Sequence, residues 1–227
     1  MTPDVITYAS REAQSAALAQ TVAEQLRAAL VDKSMASLAV PGGTTPGPFL
    51  AQLSGADLPW DQVYAMLTDE RFVPECSERS NTALLRRTLF QGPAAEAQLV
   101  PLVAEADAPE EVLDQLLTGL RLALPLDVCV LGMGADMHTA SLFPGADKLD
   151  EALAPEVLEL LPMRAPGPPE PRLTLTAPVL SAAAHVHLLI TGAEKRDALE
   201  QALTSGPVEE APVRALFTRP VTVHWAP

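Results

Sequence analysis

The chain has 227 residues, 48% of them hydrophobic, so it can bury a sizeable core and is too apolar to remain disordered. Its 15 Lys and Arg stand against 29 Asp and Glu, a formal charge of −14 with no basic stripe, which argues against nucleic acid and anionic membrane surfaces as partners. Any anionic ligand would meet an unfavourable long-range field, so a site for one must be locally positive. The longest apolar runs, Val128–Leu131 and Val186–Ile190, are strand-sized and far too short to span a bilayer. The segment MTPDVITYAS lacks a basic region followed by an apolar stretch, so no secretory signal is expected and a cytoplasmic location is the default. Of the two cysteines, Cys129 lies in an apolar run and Cys76 in a polar one, with no ligand spacing for a metal around either.

Val5–Tyr8 reads as a first strand, and Ser10 as the cap of a helix to about Leu30, carried by Ala16, Leu18, Val22, Leu26 and Leu30. Ala36–Val40 is a buried strand, and Pro46 suits the first turn of a helix bearing Phe49, Leu50 and Leu53. Val63–Leu67 is the next strand, followed by a polar loop, Thr68–Arg79. Ser80 or Asn81 then caps a helix to about Leu89. Pro109–Leu122 is expected to be helical, and Asp127–Leu131, apolar on both alternations, to be a central parallel strand. Ala165–Pro171 is a proline-rich connection that exposes a loop without dividing the chain. Arg172–Thr176, His185–Thr191 and Val221–Trp225 are strands, and Ala193–Ser205 is a helix. The alternation predicts one α/β domain over 1–227. Its architecture is three-layered, α/β/α, with a mainly parallel open sheet covered by helices on both faces. In such sheets ligands bind at the carboxyl ends of strands, which is where the main polar motifs fall.

The first motif, Pro41–Pro46, holds Gly42, Gly43, Thr44 and Thr45 between a strand and a helix. Glycines let backbone N–H groups approach an anion, and hydroxyls add donors; an ordinary tight turn is the plain alternative. It matches neither of the common nucleotide-binding fingerprints. In the second motif, TDERFVP, Arg71 has the fork to pair with a phosphate, and Asp69 can bind hydroxyls or orient a partner. A solvated loop would also explain three consecutive charges. The third motif, Gly132–Pro144, leaves a buried strand through Gly132 and Gly134 and reaches Asp136 and His138. A histidine titrates near neutrality and can take a proton from water and return it, while a carboxylate fixes its tautomer. Spacing alone does not say whether Asp136 or another acid does this. His185 and His187 share one side of a strand without a third metal ligand, so they read as strand residues. His224 reads as incidental, and Trp60 and Trp225 as packing residues. Arg172 and Lys195 are further cations at element starts that can complete an anion site.

Together GGTTP, TDERFVP with SN, and GMGADMHTASLFP, with PRLT and TGAEK, resemble the 6-phosphogluconolactonase family in order and spacing over most of the chain. The resemblance implies the sugar-phosphate isomerase-like fold shared with glucosamine-6-phosphate deaminases. It also implies hydrolysis of 6-phospho-D-glucono-1,5-lactone to 6-phosphogluconate in the oxidative pentose phosphate pathway. By the same resemblance His138 activates water, with Asp69 and Asp136 positioning substrate or histidine. Gly42, Gly43, Thr44 and Thr45 line the substrate site, Arg71, Arg172 and Lys195 meet the phosphate, and neither metal nor organic cofactor is required. A monomer or small homo-oligomer is expected. Met137 stands where the family usually has glycine; the expectation is that the turn keeps an ordinary backbone there, the alternative being a displaced His138. The deaminases of this fold resemble DEY in the second motif and carry a glutamate after the histidine. DER and ASLFP here favour the lactonase over that rival and over a non-catalytic sugar-phosphate-binding protein.

Overall fold

The structure is a computed structural model, and it describes residues 1–167 and 169–227. Its strands are β1 (Asp4–Thr7), β2 (Ala36–Val40), β3 (Val63–Leu67), β4 (Asp69–Arg71), β5 (Gln98–Leu99), β6 (Val128–Leu131), β7 (Leu160–Met163), β8 (Arg172–Leu175), β9 (His185–Thr191) and β10 (Thr222–Ala226). Its helices are α1 (Arg11–Asp32), α2 (Gly47–Leu53), α3 (Asn81–Thr88), α4 (Leu113–Leu120), α5 (Leu149–Leu153), α6 (Ala177–Ser181) and α7 (Ala193–Ala202).

Seven strands form a parallel sheet in the order β1-β10-β9-β6-β2-β3-β5, flanked by helices as the alternation predicts. The central strands β2 and β6 are buried at every residue, which parallel strands covered on both faces require. From β2 the chain runs outward through β3 to β5, and from β6 it runs the other way through β9. The boundary between β2 and β6 is therefore a topological switch point, where two loops diverge and leave a crevice at the strands' carboxyl ends. No helix among the described residues is long and apolar enough to cross a membrane.

A second sheet, β4-β8-β7, is antiparallel and was not expected. The Thr68–Arg79 segment is thus not all loop: Asp69, Glu70 and Arg71 pair with Thr174, Leu173 and Arg172. Three charged residues carry no apolar alternation, so only their ladder to β8 makes them a strand. Arg172–Leu175 is a strand as predicted, but in this smaller sheet. The expected Pro109–Leu122 helix is broken, with a 3-10 turn at Pro109–Val112 before α4 and another at Arg121–Ala123 after it. Ser10 caps α1, accepting from the N–H of Ala13 at 3.2 Å. Ser80, rather than Asn81, caps α3 through Ala83 N–H at 3.1 Å. Pro168 of the Ala165–Pro171 connection lies outside the described residues.

His224 is not incidental. It is 1% exposed, and its Nδ1 lies 2.8 Å from the Tyr8 hydroxyl while its Nε2 lies 3.0 Å from His187 Nδ1. His187 Nε2 in turn meets Gln25 Oε1 at 2.8 Å. A neutral chain satisfies every group: Tyr8 donates to His224, His224 to His187, and His187 to Gln25. Burial lowers the pKa of His187 to about 3 and that of His224 to about 4.

Candidate active site

The loops after β2, β3, β6 and β9 enclose a cleft of about 410 Å³ at the switch point. Pro41–Pro46, Asp69, Arg71, Asn81, Gly132–Gly134, His138, Phe143, Arg172 and Lys195 contribute to its wall. Of the ten residues singled out from the sequence, nine line this cleft, and the tenth, Asp136, stands directly behind His138.

The loop that places His138 is wound tightly. Gly134 N–H donates to the His138 carbonyl at 3.0 Å, and Met137 N–H to the Gly134 carbonyl at 3.0 Å. The imidazole lies so close over Gly134 that a Cβ there would fall 2.2 Å from His138 Nδ1. His138 Nδ1 is 2.5 Å from Asp136 Oδ1, and Asp136 also accepts from the His138 backbone N–H at 3.3 Å. An acceptor carboxylate puts the ring proton on Nδ1, which leaves the Nε2 lone pair available at the cleft. Asp136 is thus the carboxylate that meets His138. Phe143 packs against the imidazole with centroids 4.1 Å apart and planes tilted by 31°, and the Arg172 guanidinium sits 5.3 Å from the centroid of the Phe143 ring.

The expectation for Met137 is overturned, though His138 keeps its place. Met137 has φ +63°, in the left-handed region, and Ala140 follows with φ +49°. Such a backbone costs a non-glycine residue about 1–2 kcal/mol. Its neighbours hold it there: Val213 N–H donates to the Met137 carbonyl at 3.1 Å, and the side chain packs against the core. The family's usual glycine is therefore replaced at the cost of strain.

Opposite His138, the two glycines of the first motif serve different needs. Gly43 has φ +87°, whereas Gly42 is needed because a Cβ there would lie 2.1 Å from Asn81 Cγ. The backbone N–H groups of Gly42, Gly43, Thr44 and Thr45 donate to no protein acceptor among the described residues, so they remain available to a ligand.

The cations stand around this turn. Arg172 is 3.5 Å from Asp69, whose carboxylate also accepts from Ser141 Oγ at 2.6 Å and Thr68 Oγ1 at 3.2 Å. Asp69 accordingly pairs with Arg172, and no hydrogen bond joins it to His138 among the described residues. Arg71 donates to the Arg79 carbonyl at 2.6 Å and lies 3.9 Å from Glu170. The Nε atoms of Arg71 and Arg172 are buried and have no hydrogen-bond partner among the described residues. Two guanidinium groups lining one cleft suit an anionic ligand. Lys195 sits in the first turn of α7, whose start is pinned where Gly192 N–H meets Ala226 O at 2.8 Å and Trp225 Nε1 meets Gly192 O at 2.9 Å. Burial lowers the pKa of Arg172 and of Lys195 from their ordinary values, opposed by Asp69 for the first and Glu194 for the second. Among the described residues no group of three His, Cys, Asp or Glu side chains could hold a metal ion.

The family described as "Glucosamine-6-phosphate isomerases/6-phosphogluconolactonase" matches residues 9–225. A 6-phosphogluconolactonase of Mesorhizobium japonicum is 45% identical over 225 residues, covering 97% of this chain and 94% of that one. One from Rhizobium meliloti is 42% identical over 233 residues and covers both chains in full. The chain belongs to the 6-phosphogluconolactonase family. The crystal structure of a 6-phosphogluconolactonase from Shewanella baltica superposes with a TM-score of 0.96 at 32% identity, covering 100% of this chain and 98% of that one. Within this 6-phosphogluconolactonase fold, Asn81 and Phe143 line the cleft and Ser141 bonds Asp69 beside it, and none of the three was singled out as a site residue from the sequence. Asn81 stood in the SN pair and Phe143 in ASLFP, but polar and aromatic residues at helix starts and loops are too common to single out without coordinates.

Proposed function

We propose that the chain hydrolyses 6-phospho-D-glucono-1,5-lactone to 6-phosphogluconate, with His138 as general base. The observation that carries this reading is the orientation of His138, with Nδ1 on Asp136 and Nε2 free at a cleft that also gathers Arg71, Arg172 and Lys195. His138 Nε2 takes a proton from water as the water oxygen bonds to the lactone carbonyl carbon, and Asp136 stabilises the imidazolium. When the tetrahedral intermediate collapses, the bond from that carbon to the ring oxygen breaks and His138 returns the proton to the leaving alkoxide. The free N–H groups of Gly42–Thr45 and the three cations bind the phosphate, and Asp69 fixes Arg172 among them. Local positive charge at the cleft offsets the repulsion that a formal −14 exerts on an anionic substrate. The chain acts as one domain in the cytoplasm, as a monomer or small homo-oligomer, without a cofactor.

Amino-sugar deamination has less support, because Thr139–Pro144 supplies no carboxylate after the histidine. The test is acid release from freshly prepared 6-phosphogluconolactone, followed against the uncatalysed control and against the unphosphorylated lactone. The reading predicts acceleration that depends on the phosphate and a loss of that discrimination in Arg71→Ala. A rate equal to the control would refute it.

A further inference from the structure

Between Asp69 and Arg71, which line the cleft, Glu70 turns its side chain to the other side of β4. It is 1% exposed. Oε1 accepts from the backbone N–H of Arg71 at 2.7 Å and of Asn81 at 2.9 Å. Oε2 accepts from Thr82 N–H at 2.6 Å, Thr82 Oγ1 at 2.7 Å and Ser80 Oγ at 3.3 Å. All five partners are donors, and no salt bridge reaches Glu70 among the described residues. This suits a carboxylate placed at the positive end of α3, where N–H groups and the helix dipole replace a counter-ion. A helix cap does not require it, since Ser80 already caps α3.

Glu70 instead fixes the direction in which Asn81 leaves the helix. Asn81 is 3% exposed, and its Nδ2 donates to the Asp69 carbonyl at 3.4 Å. Its amide lies flat on Gly42, so closely that a Cβ on Gly42 would stand 2.1 Å from Cγ and 2.3 Å from both Nδ2 and Oδ1. Gly42 opens the turn that lines the cleft and whose N–H groups have no protein acceptor among the described residues. Glu70, Asn81 and Gly42 thus form a continuous contact from a buried anion to the ligand-binding backbone.

We propose that Glu70 is a positioning residue: by clamping the first turn of α3 it seats Asn81 as a wedge against Gly42 and holds the Gly42–Thr45 backbone in its anion-binding shape. The inference rests on the lactonase reading of the cleft. Glu70→Gln keeps the shape but turns an NH₂ toward one of the two donor sets, so either Arg71 and Asn81 or Thr82 and Ser80 lose their acceptor.

The experiment measures kcat and KM for 6-phosphogluconolactone, Kd for 6-phosphogluconate by calorimetry, and Tm, in the full chain. Glu70→Gln and Asn81→Ala are each expected to raise KM and Kd at least about tenfold while lowering kcat less than about threefold. The double variant should be no worse than the poorer single one, since both act through one contact. Leu85→Val, in the buried face of the same helix, should lower Tm with KM unchanged, which separates positioning from loss of stability. Should Glu70→Gln fail to fold, Gly42→Ala carries the test: its methyl meets the Asn81 amide, so it should raise Kd in the wild-type background and add nothing in Asn81→Ala. Multiplicative effects, or a Glu70→Gln protein with lowered Tm and unchanged KM and Kd, would overturn the proposal alone. A wild-type protein that neither binds 6-phosphogluconate nor hydrolyses the lactone would overturn the functional reading and the proposal together.

Discussion

Gly134→Ala places one methyl group beneath the imidazole and removes no charged group from the chain. That methyl would lie 2.2 Å from His138 Nδ1 and 2.3 Å from His138 Cε1 and Asp136 Oδ1. Ordinary contact begins near 3.4 Å, so the ring must retreat by about 1.2 Å, the difference between the two distances. It cannot do so freely, because Phe143 packs against it and Asp136 holds Nδ1. A misplacement of about 1 Å at a reacting group costs on the order of 10²-fold in rate, or about 2.7 kcal/mol in barrier. Losing the bond to Asp136 removes a charge-assisted interaction of roughly 1.5–3 kcal/mol, which is the same scale. The φ of Gly134 is not in the left-handed region, so alanine adds no backbone strain of its own. Stopped-flow acid release should therefore show kcat lower by about 100-fold. Calorimetry should show 6-phosphogluconate binding within about threefold of wild type, a change under about 1 kcal/mol. A kcat within threefold of wild type would refute the assignment of His138, in this orientation, to the chemistry.

Met137→Gly should change stability by less than about 1 kcal/mol, because relief of about 1–2 kcal/mol of left-handed strain is offset by about 0.4–1 kcal/mol of added unfolded-state entropy and by lost packing. Urea unfolding checks this, and a loss above about 2 kcal/mol would mean that the methionine side chain is a structural requirement. The buried pair His187 and His224 predicts acid sensitivity at mild pH. Their folded pKa values, about 3 and about 4, lie below the ordinary 6.5, so only the unfolded chain gains protons as pH falls through 6.5. Stability should fall from about pH 6.5 toward pH 4, by up to about 1.4 kcal/mol per unit for each histidine, and level off below the folded values. Glu110 and Glu159 are also held low, by hydrogen bonds from Arg164 and Arg121, but their contribution is lost only as pH falls below about their ordinary 4.5. A Tm that stays flat between pH 6.5 and 4.5 would contradict the neutral histidine chain.

The parts of the molecule legible in the sequence are those that local chemistry determines. Ala36–Val40 and Val128–Leu131 declare themselves by unbroken apolar runs, and the glycine-bounded loops after them declare where a ligand would sit. The smaller sheet was not legible, because Asp69–Arg71 becomes a strand only through pairing with a segment a hundred residues away. The role of Asp69 depended on the same pairing, which brings Arg172 and Ser141 to its carboxylate. Met137 shows a different limit. Residue type argued against positive φ, yet packing and the hydrogen bond from Val213 outweigh a local penalty of about 1–2 kcal/mol. His224 looked isolated near the end of the chain because its partners, Tyr8 and His187, are brought to it only by the order of strands in the sheet.

The most direct test of His138 as general base is His138→Ala, assayed for turnover of freshly made 6-phospho-D-glucono-1,5-lactone alongside the affinity for 6-phosphogluconate. General-base catalysis contributes on the order of 10²–10⁴-fold, so kcat should fall by at least about 100-fold while Kd stays within about threefold. A variant that turns over at close to the wild-type rate would contradict the central claim.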